Sequence, residues 1–95
     1  IANFPAANRD LSMVVPKALK ARDIEDIFEK KGGAYLEGYR LFDLYEGEQV
    51  DAGSKSMAYS LVFRAKDKNL AEEDITSAMN RILKGLKGLG VTLRA

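Results

Sequence analysis

The run Leu41-Phe42-Asp43-Leu44-Tyr45-Glu46-Gly47 is followed nine residues later by Ser56-Met57-Ala58-Tyr59-Ser60-Leu61-Val62-Phe63. Both runs alternate, as a half-buried strand must, because successive side chains point to opposite faces of a sheet. In the first run Phe42 and Leu44 are expected on one face, with Asp43 and Tyr45 on the other. In the second, Met57, Tyr59, Leu61 and Phe63 take one face, while Ser56, Ala58 and Ser60 take the other. An acid, an aromatic ring and a row of small residues thus share one sheet surface. Folding does not require that combination, and it suits stacking and hydrogen bonding to a planar ligand.

Working outward, Gly47 to Ser54 supplies the glycines and the aspartate of a hairpin loop between a second strand (about Tyr35 to Glu46) and a third (about Lys55 to Lys66). Symmetric closure would set Tyr45 opposite Ser56 and Asp43 opposite Ala58, leaving an open floor beside the acid and the ring. Upstream, Asp10-Leu11-Ser12-Met13-Val14-Val15 alternates and stops at Pro16, giving a first strand with Leu11, Met13 and Val15 inward. Phe4-Pro5 reads as an entry linker, because the residue before proline is driven to an extended shape. Between the first two strands, Ile24, Ile27 and Phe28 form the apolar stripe of a helix over Asp23 to Lys31, closed by Gly32-Gly33. A second helix carries Ile75, Ala78, Met79, Ile82, Leu83 and Leu86 on one face. Its acidic start (Glu72, Glu73, Asp74) and basic later turns (Arg81, Lys84, Lys87) both match the helix dipole. Gly85 inside it costs about 1 kcal/mol against alanine. Gly88-Leu89-Gly90 ends this helix. Val91-Thr92-Leu93-Arg94 forms a last strand, with Val91 and Leu93 inward and Arg94 outward.

The resulting order, strand-helix-strand-strand-helix-strand, defines an α+β, ferredoxin-like βαββαβ fold, a four-stranded antiparallel sheet with two helices on one face. Right-handed crossovers place the first and third strands centrally. The other sheet face is left to solvent or to a ligand.

Composition narrows the chemistry. The 95 residues are 46% hydrophobic and 31% charged, which fits one folded domain over 1–95 rather than a disordered chain. No apolar run approaches the ~20 residues of a membrane helix, so no membrane partner is expected. The absence of Cys and His removes thiol nucleophiles, imidazole bases, disulfides and the usual zinc ligands, and fits a cytosolic location. A net charge of +1 argues against a nucleic-acid grip by bulk charge, while leaving room for a few specific base contacts. The first residue is Ile1 rather than Met, and the expectation is a fragment excised from a larger protein or a processed product.

Each candidate has a plainer reading beside the functional one. Asp43 and Tyr45 could be a hairpin acid and a strand-edge tyrosine; against that, they share a face with Ser12, Ser56, Ser60, Thr92 and Arg94, all able to hydrogen-bond. An exposed aromatic on such a face resembles a base-stacking platform. Arg94 is either a solvated terminal charge or a phosphate or base contact. Ser56 is either a small sheet residue or a neighbour to Tyr45 with a role. Lys55 to Phe63 partly follows the RNA-recognition-motif strand pattern, but its glycines are missing, and Tyr59 and Phe63 are assigned to the core. The basic run Arg64, Lys66, Lys68 reads as a solvated face first and as a phosphate contact second. Asp10 and Asp43 as an acid–base pair would lack a nucleophile, metal or phosphate loop, so no catalytic residue and no metal site are assigned.

Taken together, Phe4-Pro5-Ala6, Arg9-Asp10-Leu11-Ser12, Leu41 to Gly47, Lys55-Ser56-Met57-Ala58-Tyr59, Leu61-Val62-Phe63-Arg64 and Leu93-Arg94-Ala95 resemble the ferredoxin-fold anticodon-binding domain of bacterial phenylalanine–tRNA ligase beta subunits. The resemblance covers essentially the whole chain. It implies that the domain grips the anticodon loop of a phenylalanine tRNA and recognises the first anticodon base, a guanine. It implies that Tyr45 stacks on that base, that Asp43 contacts it, that Ser56 helps, that Arg94 approaches the anticodon, and that Ser12 lines the surface. It further implies no cofactor in this domain. In the parent enzyme, ATP and magnesium would serve an active site in the alpha subunit, within an alpha2-beta2 assembly that includes the rest of the beta subunit. One departure is Ala71, which stands where a capping threonine is often found. The principal alternative is a ferredoxin-like regulatory or assembly module that binds a small molecule or a protein partner; Val15-Pro16-Lys17 lacks the glycine-rich turn a metabolite-binding version would use. A phosphatase-like enzyme on this fold would need an arginine in a phosphate loop, which the segment after the first strand lacks.

Overall fold

The alternating Leu11, Met13 and Val15 become the centre of strand β1, which spans Ala7–Pro16 in a computed structural model describing residues 4–45 and 53–93. Helix α1 (Ala21–Lys31) follows, then β2 (Leu36–Tyr45), β3 (Ser54–Phe63), α2 (Glu72–Lys87) and a two-residue β4 (Thr92–Leu93). The strands form one sheet in the order β2-β3-β1-β4, with every pairing antiparallel. The first and third strands are therefore central and the fold is the ferredoxin-like one expected. β1 begins three residues earlier than its apolar alternation indicated, and β3 ends at Phe63 rather than Lys66. Glu46 to Ala52 and Arg94 lie outside the described residues, so most of the hairpin loop and the end of the last strand do too.

The helices cover the sheet face that carries Leu11, Met13, Val15, Met57, Tyr59, Leu61 and Phe63, all at most 4% exposed. From the helices, Ile24, Phe28, Ile75, Ala78, Ile82 and Leu86 meet them. Tyr59 and Phe63 are fully buried, which settles their place in the core rather than on a ligand surface. Phe28 is the hub of an aromatic cluster: its ring centroid lies 4.9 Å from that of Tyr59, edge to face, and 5.4 Å from that of Tyr39. A buried phenol needs a partner, and α1 provides it. The Tyr59 hydroxyl donates to Glu25 Oε2 at 2.8 Å, and the Tyr39 hydroxyl donates to Glu29. Burial, then the Glu25 hydrogen bond, raises the Tyr59 pKa. The hydrogen bond to Glu29, together with burial, pushes that of Tyr39 up to about 12.

Helix ends follow the local chemistry. Ala71 has no side-chain acceptor, yet its backbone N–H donates to Asp74 Oδ2 at 3.0 Å, so the carboxylate three residues on supplies half of a capping box. Lys20 and Asp23 repeat this at α1. At the other end of α1 the two glycines divide the work: Gly32 remains right-handed while Gly33 takes φ +81°, the conformation glycine adopts without steric cost.

Gly85 acquires a reason that helix propensity does not contain. A Cβ placed there would stand 2.9 Å from Ile27 Cγ2, so the glycine is where α2 closes on α1. Propensity alone would make Gly85→Ala a gain of about 1 kcal/mol. Ile27 is β-branched and stiff at χ1, and overpacking a tight contact costs about 1–3 kcal/mol. We expect Gly85→Ala to lower stability by up to about 2 kcal/mol in a urea titration; a raised midpoint would show that the helices separate freely.

Candidate nucleic-acid interface

The sheet face opposite the helices is built from alternate residues of three long strands, and the register fixes which of them are neighbours. Tyr45 pairs with Ser56, Ser56 with Val14, and Val14 with Thr92, forming one row across all four strands. The next row is Asp43, Ala58 and Ser12. The one below is Arg40, Ser60 and Asp10. The expected hairpin register is thus the observed one, with Asp43 and Tyr45 on adjacent rows of the edge strand.

The strict alternation of β2 is not observed. The pairing shifts between Leu41, opposite Tyr59, and Asp43, opposite Ala58, so Phe42 is an extra residue in a bulge. A bulge inserts one unpaired residue and bends its strand. Its consequence is a change of phase. Leu44 lies opposite core residue Met57 as anticipated, but Leu41 does too by facing Tyr59, and Phe42 has no partner of its own. Without the bulge, counting back from Asp43 would have put Tyr39 on the open face instead of against Phe28. An edge strand bent in this way is also blunted against adding further strands.

The expected open floor is the second correction. Ser56 and Ala58 are each only 7% exposed, although they lie on the uncovered face. Both are small and sit on central β3, so their flanking residues on β1 and β2 shield them. Tyr45, by contrast, is 39% exposed, and Asp43 and Ser12 are exposed as well. What meets solvent is therefore the ring, the carboxylate and the β1 serine, standing around a buried Ser56–Ala58 base. Arg94 lies outside the described residues. Asp10 and Asp43 are on the same face, but their strands flank β3, about two interstrand spacings or roughly 10 Å apart, too far to share a proton directly.

The basic run behaves mostly as structure. Arg64 bonds to Glu37 (Nε to Oε1, 3.2 Å) and to the carbonyl of Phe4 (2.8 Å). Lys68 lies 5.2 Å from the centre of the Tyr35 ring and 3.5 Å from Asp74. Its pKa is raised, first by Tyr35 and then by Asp74. A residue passed over in the sequence is Arg40. Once the bulge is taken into account it falls on the open face, exposed and without an ion pair or hydrogen bond among the described residues. It lines a hollow of about 430 Å³ together with Asn8, Glu37, Gly38, Tyr39, Ser60 and Val62. No cluster of three or more metal-ligating side chains occurs among the described residues. Among the described residues, no helix is long and apolar enough to cross a membrane.

A ferredoxin-like α+β fold with an uncovered sheet face carrying an exposed acid and ring is the class that these observations define. The chain belongs to the ferredoxin-fold anticodon binding domain family, whose model matches residues 2–94. It is similar to phenylalanine–tRNA ligase beta subunits: 43% identical to that of Symbiobacterium thermophilum over 95 residues, which is 100% of this chain and 11% of the relative. It is 37% identical to that of Clostridium acetobutylicum over 95 residues (99% of this chain, 12% of the relative). To that of Colwellia psychrerythraea it is 42% identical over 87 residues (92% and 11%). The chain thus spans 11% to 12% of the length of these curated relatives.

Proposed function

We propose that this chain is the anticodon-binding part of a phenylalanine–tRNA ligase beta subunit and that its uncovered face holds an extruded anticodon base. The observation that carries the reading is the pair Asp43 and Tyr45 on adjacent rows of an edge strand, both exposed, on the side away from the helices. Sequence-specific RNA reading usually targets unpaired loop bases, which stack on an aromatic ring and are bonded along their edges. Tyr45 provides the ring. The Asp43 carboxylate is acceptor-only and can receive both N1–H and N2–H₂ of a guanine, a donor pair that adenine, cytosine and uracil do not present together. Ser12 flanks Asp43 across Ala58 and lines the surface. Ser56, being buried, acts by shaping the wall against which the ring rests. Arg94, which the family resemblance brings to the anticodon, would contribute charge to the RNA contact.

On this reading the domain takes no part in the chemistry and binds no cofactor. The ligase it serves joins phenylalanine to its tRNA with ATP and magnesium in the cytoplasm, at an active site in the alpha subunit of an alpha2-beta2 enzyme. Residues 1–95 are one domain of that larger beta subunit.

The test is Asp43→Asn. An asparagine presents one acceptor and a competing donor, so the preference for guanine over adenine at the first anticodon position of a stem-loop RNA should fall. A bidentate contact discriminates by about 1–3 kcal/mol, a factor of roughly 5 to 150. Fluorescence titration with the two RNAs measures it, and an undiminished guanine preference removes Asp43 from the reading.

A further inference from the structure

We infer that the same face carries a second subsite, in which Arg40 binds a backbone phosphate of the RNA loop whose base is held at Tyr45. The inference rests on the RNA-binding reading above and extends it to a residue and a hollow that reading does not use.

Three observations lead there. First, position: Arg40, Ser60 and Asp10 form the row directly below Asp43, Ala58 and Ser12. Ala58 and Ser60 are two residues apart on β3, so the rows are separated by about 7 Å along the strand, within one nucleotide's length of the acid. A single strand that delivers a base to Tyr45 and runs on along β2 would cross this surface.

Second, charge: an exposed guanidinium normally finds a carboxylate when one is near. Arg9 has Glu72 at 3.0 Å, Arg22 has Asp26 at 3.1 Å and Arg64 has Glu37 at 3.2 Å. Arg40 has none among the described residues. The three acids facing the area make no ion pair with it: Glu37 is taken by Arg64, Asp10 stands on the far side of β3, and Asp43 lies one row above. A planar, always charged group with five donors matches a phosphate oxygen pair.

Third, shape: the hollow of about 430 Å³ beside Arg40 exists because Gly38 and Ser60 put little or no side chain into it. An added Cβ at Gly38 would meet nothing within 4 Å, so the space above the backbone there is open. Asn8 and Ser60 bring an amide and a hydroxyl to its walls, suited to ribose and phosphate oxygens, and the carboxylate in its lining, Glu37, is countered by Arg64 at 3.2 Å.

The experiment is titration of the 95-residue chain with an anticodon stem-loop RNA at several salt concentrations from low to moderate. Losing one phosphate contact in a single strand makes the slope of log affinity against log salt shallower by about 0.7. Arg40→Gln should show that change and bind several-fold more weakly at low salt, equally for guanine and adenine RNAs. Arg40→Lys should restore the slope. Arg22→Gln, which removes one charge from α1 on the other side of the sheet, should leave it unchanged. A wild-type slope in Arg40→Gln overturns the inference, as does an equal change in Arg22→Gln, or a wild-type chain that does not bind the RNA at low salt. Tyr45→Ala, measured in parallel, separates the two ideas. If Arg40→Gln flattens the slope while Tyr45→Ala binds normally, the phosphate subsite stands and base stacking does not. The reverse pattern leaves stacking in place and removes the subsite.

Discussion

Phe28→Ala is expected to lower the thermal midpoint by roughly 12 to 40 °C. Phe28 is fully buried and touches the rings of both Tyr59 and Tyr39, which are themselves tied by hydroxyl groups to Glu25 and Glu29 on the same helix. Truncating a buried phenylalanine costs about 3–5 kcal/mol in lost transfer energy and cavity. A domain of this size has a total stability of about 5–15 kcal/mol, and each kcal/mol moves its midpoint by about 4–8 °C. The cavity cannot collapse easily, because Tyr59 sits on a central strand paired on both sides. Phe42→Ala serves as the comparison. Phe42 occupies the bulge and is 46% exposed, so its truncation should stay within about 0.5 kcal/mol of wild type. A circular dichroism melt of both variants decides the matter; equal shifts would mean that the aromatic cluster is not what holds α1 to the sheet.

Those two phenylalanines also mark where the sequence is readable and where it is not. Phe28 is legible because a helical stripe of Ile24, Ile27 and Phe28 can bury only one way. The strand order and the covered face follow from two such stripes and from the alternation in β1 and β3. The register at the hairpin mouth is legible as well, since loop length alone brings Tyr45 opposite Ser56. Phe42 is different. A bulge is a one-residue insertion relative to a partner strand, so nothing within β2 itself announces it. It becomes visible only when both ends of the β2–β3 ladder are matched, with Tyr39 against the core and Asp43 against Ala58. Because the phase of Arg40 depends on it, Arg40 could not be assigned to the open face from alternation alone. The burial of Ser56 was hidden for another reason: on an uncovered face, a small residue is shielded by whichever larger residues stand beside it across the ladder, and these are pair properties rather than properties of the strand. Gly85 was read through helix propensity, which contains no second helix.

Tyr45→Ala is the change expected to matter most for RNA. Each base stacked on an aromatic ring is worth about 1–3 kcal/mol, so affinity for an anticodon stem-loop should drop by a factor of roughly 5 to 150. The fold should barely notice. Tyr45 is the last described residue of an edge strand, 39% exposed, on the face away from the helices, and its ring contributes nothing to the Phe28 cluster. An unchanged melting curve alongside weakened binding would therefore separate recognition from stability, a separation Phe28→Ala cannot provide. Tyr45→Phe sharpens the argument, because it keeps the ring and removes the hydroxyl. Stacking predicts that phenylalanine restores most of the affinity, whereas recognition through the phenolic oxygen predicts that it behaves like alanine. If Tyr45→Ala binds the RNA as tightly as wild type, the ring is surface filling, and the exposed acid beside it loses the base it was meant to read.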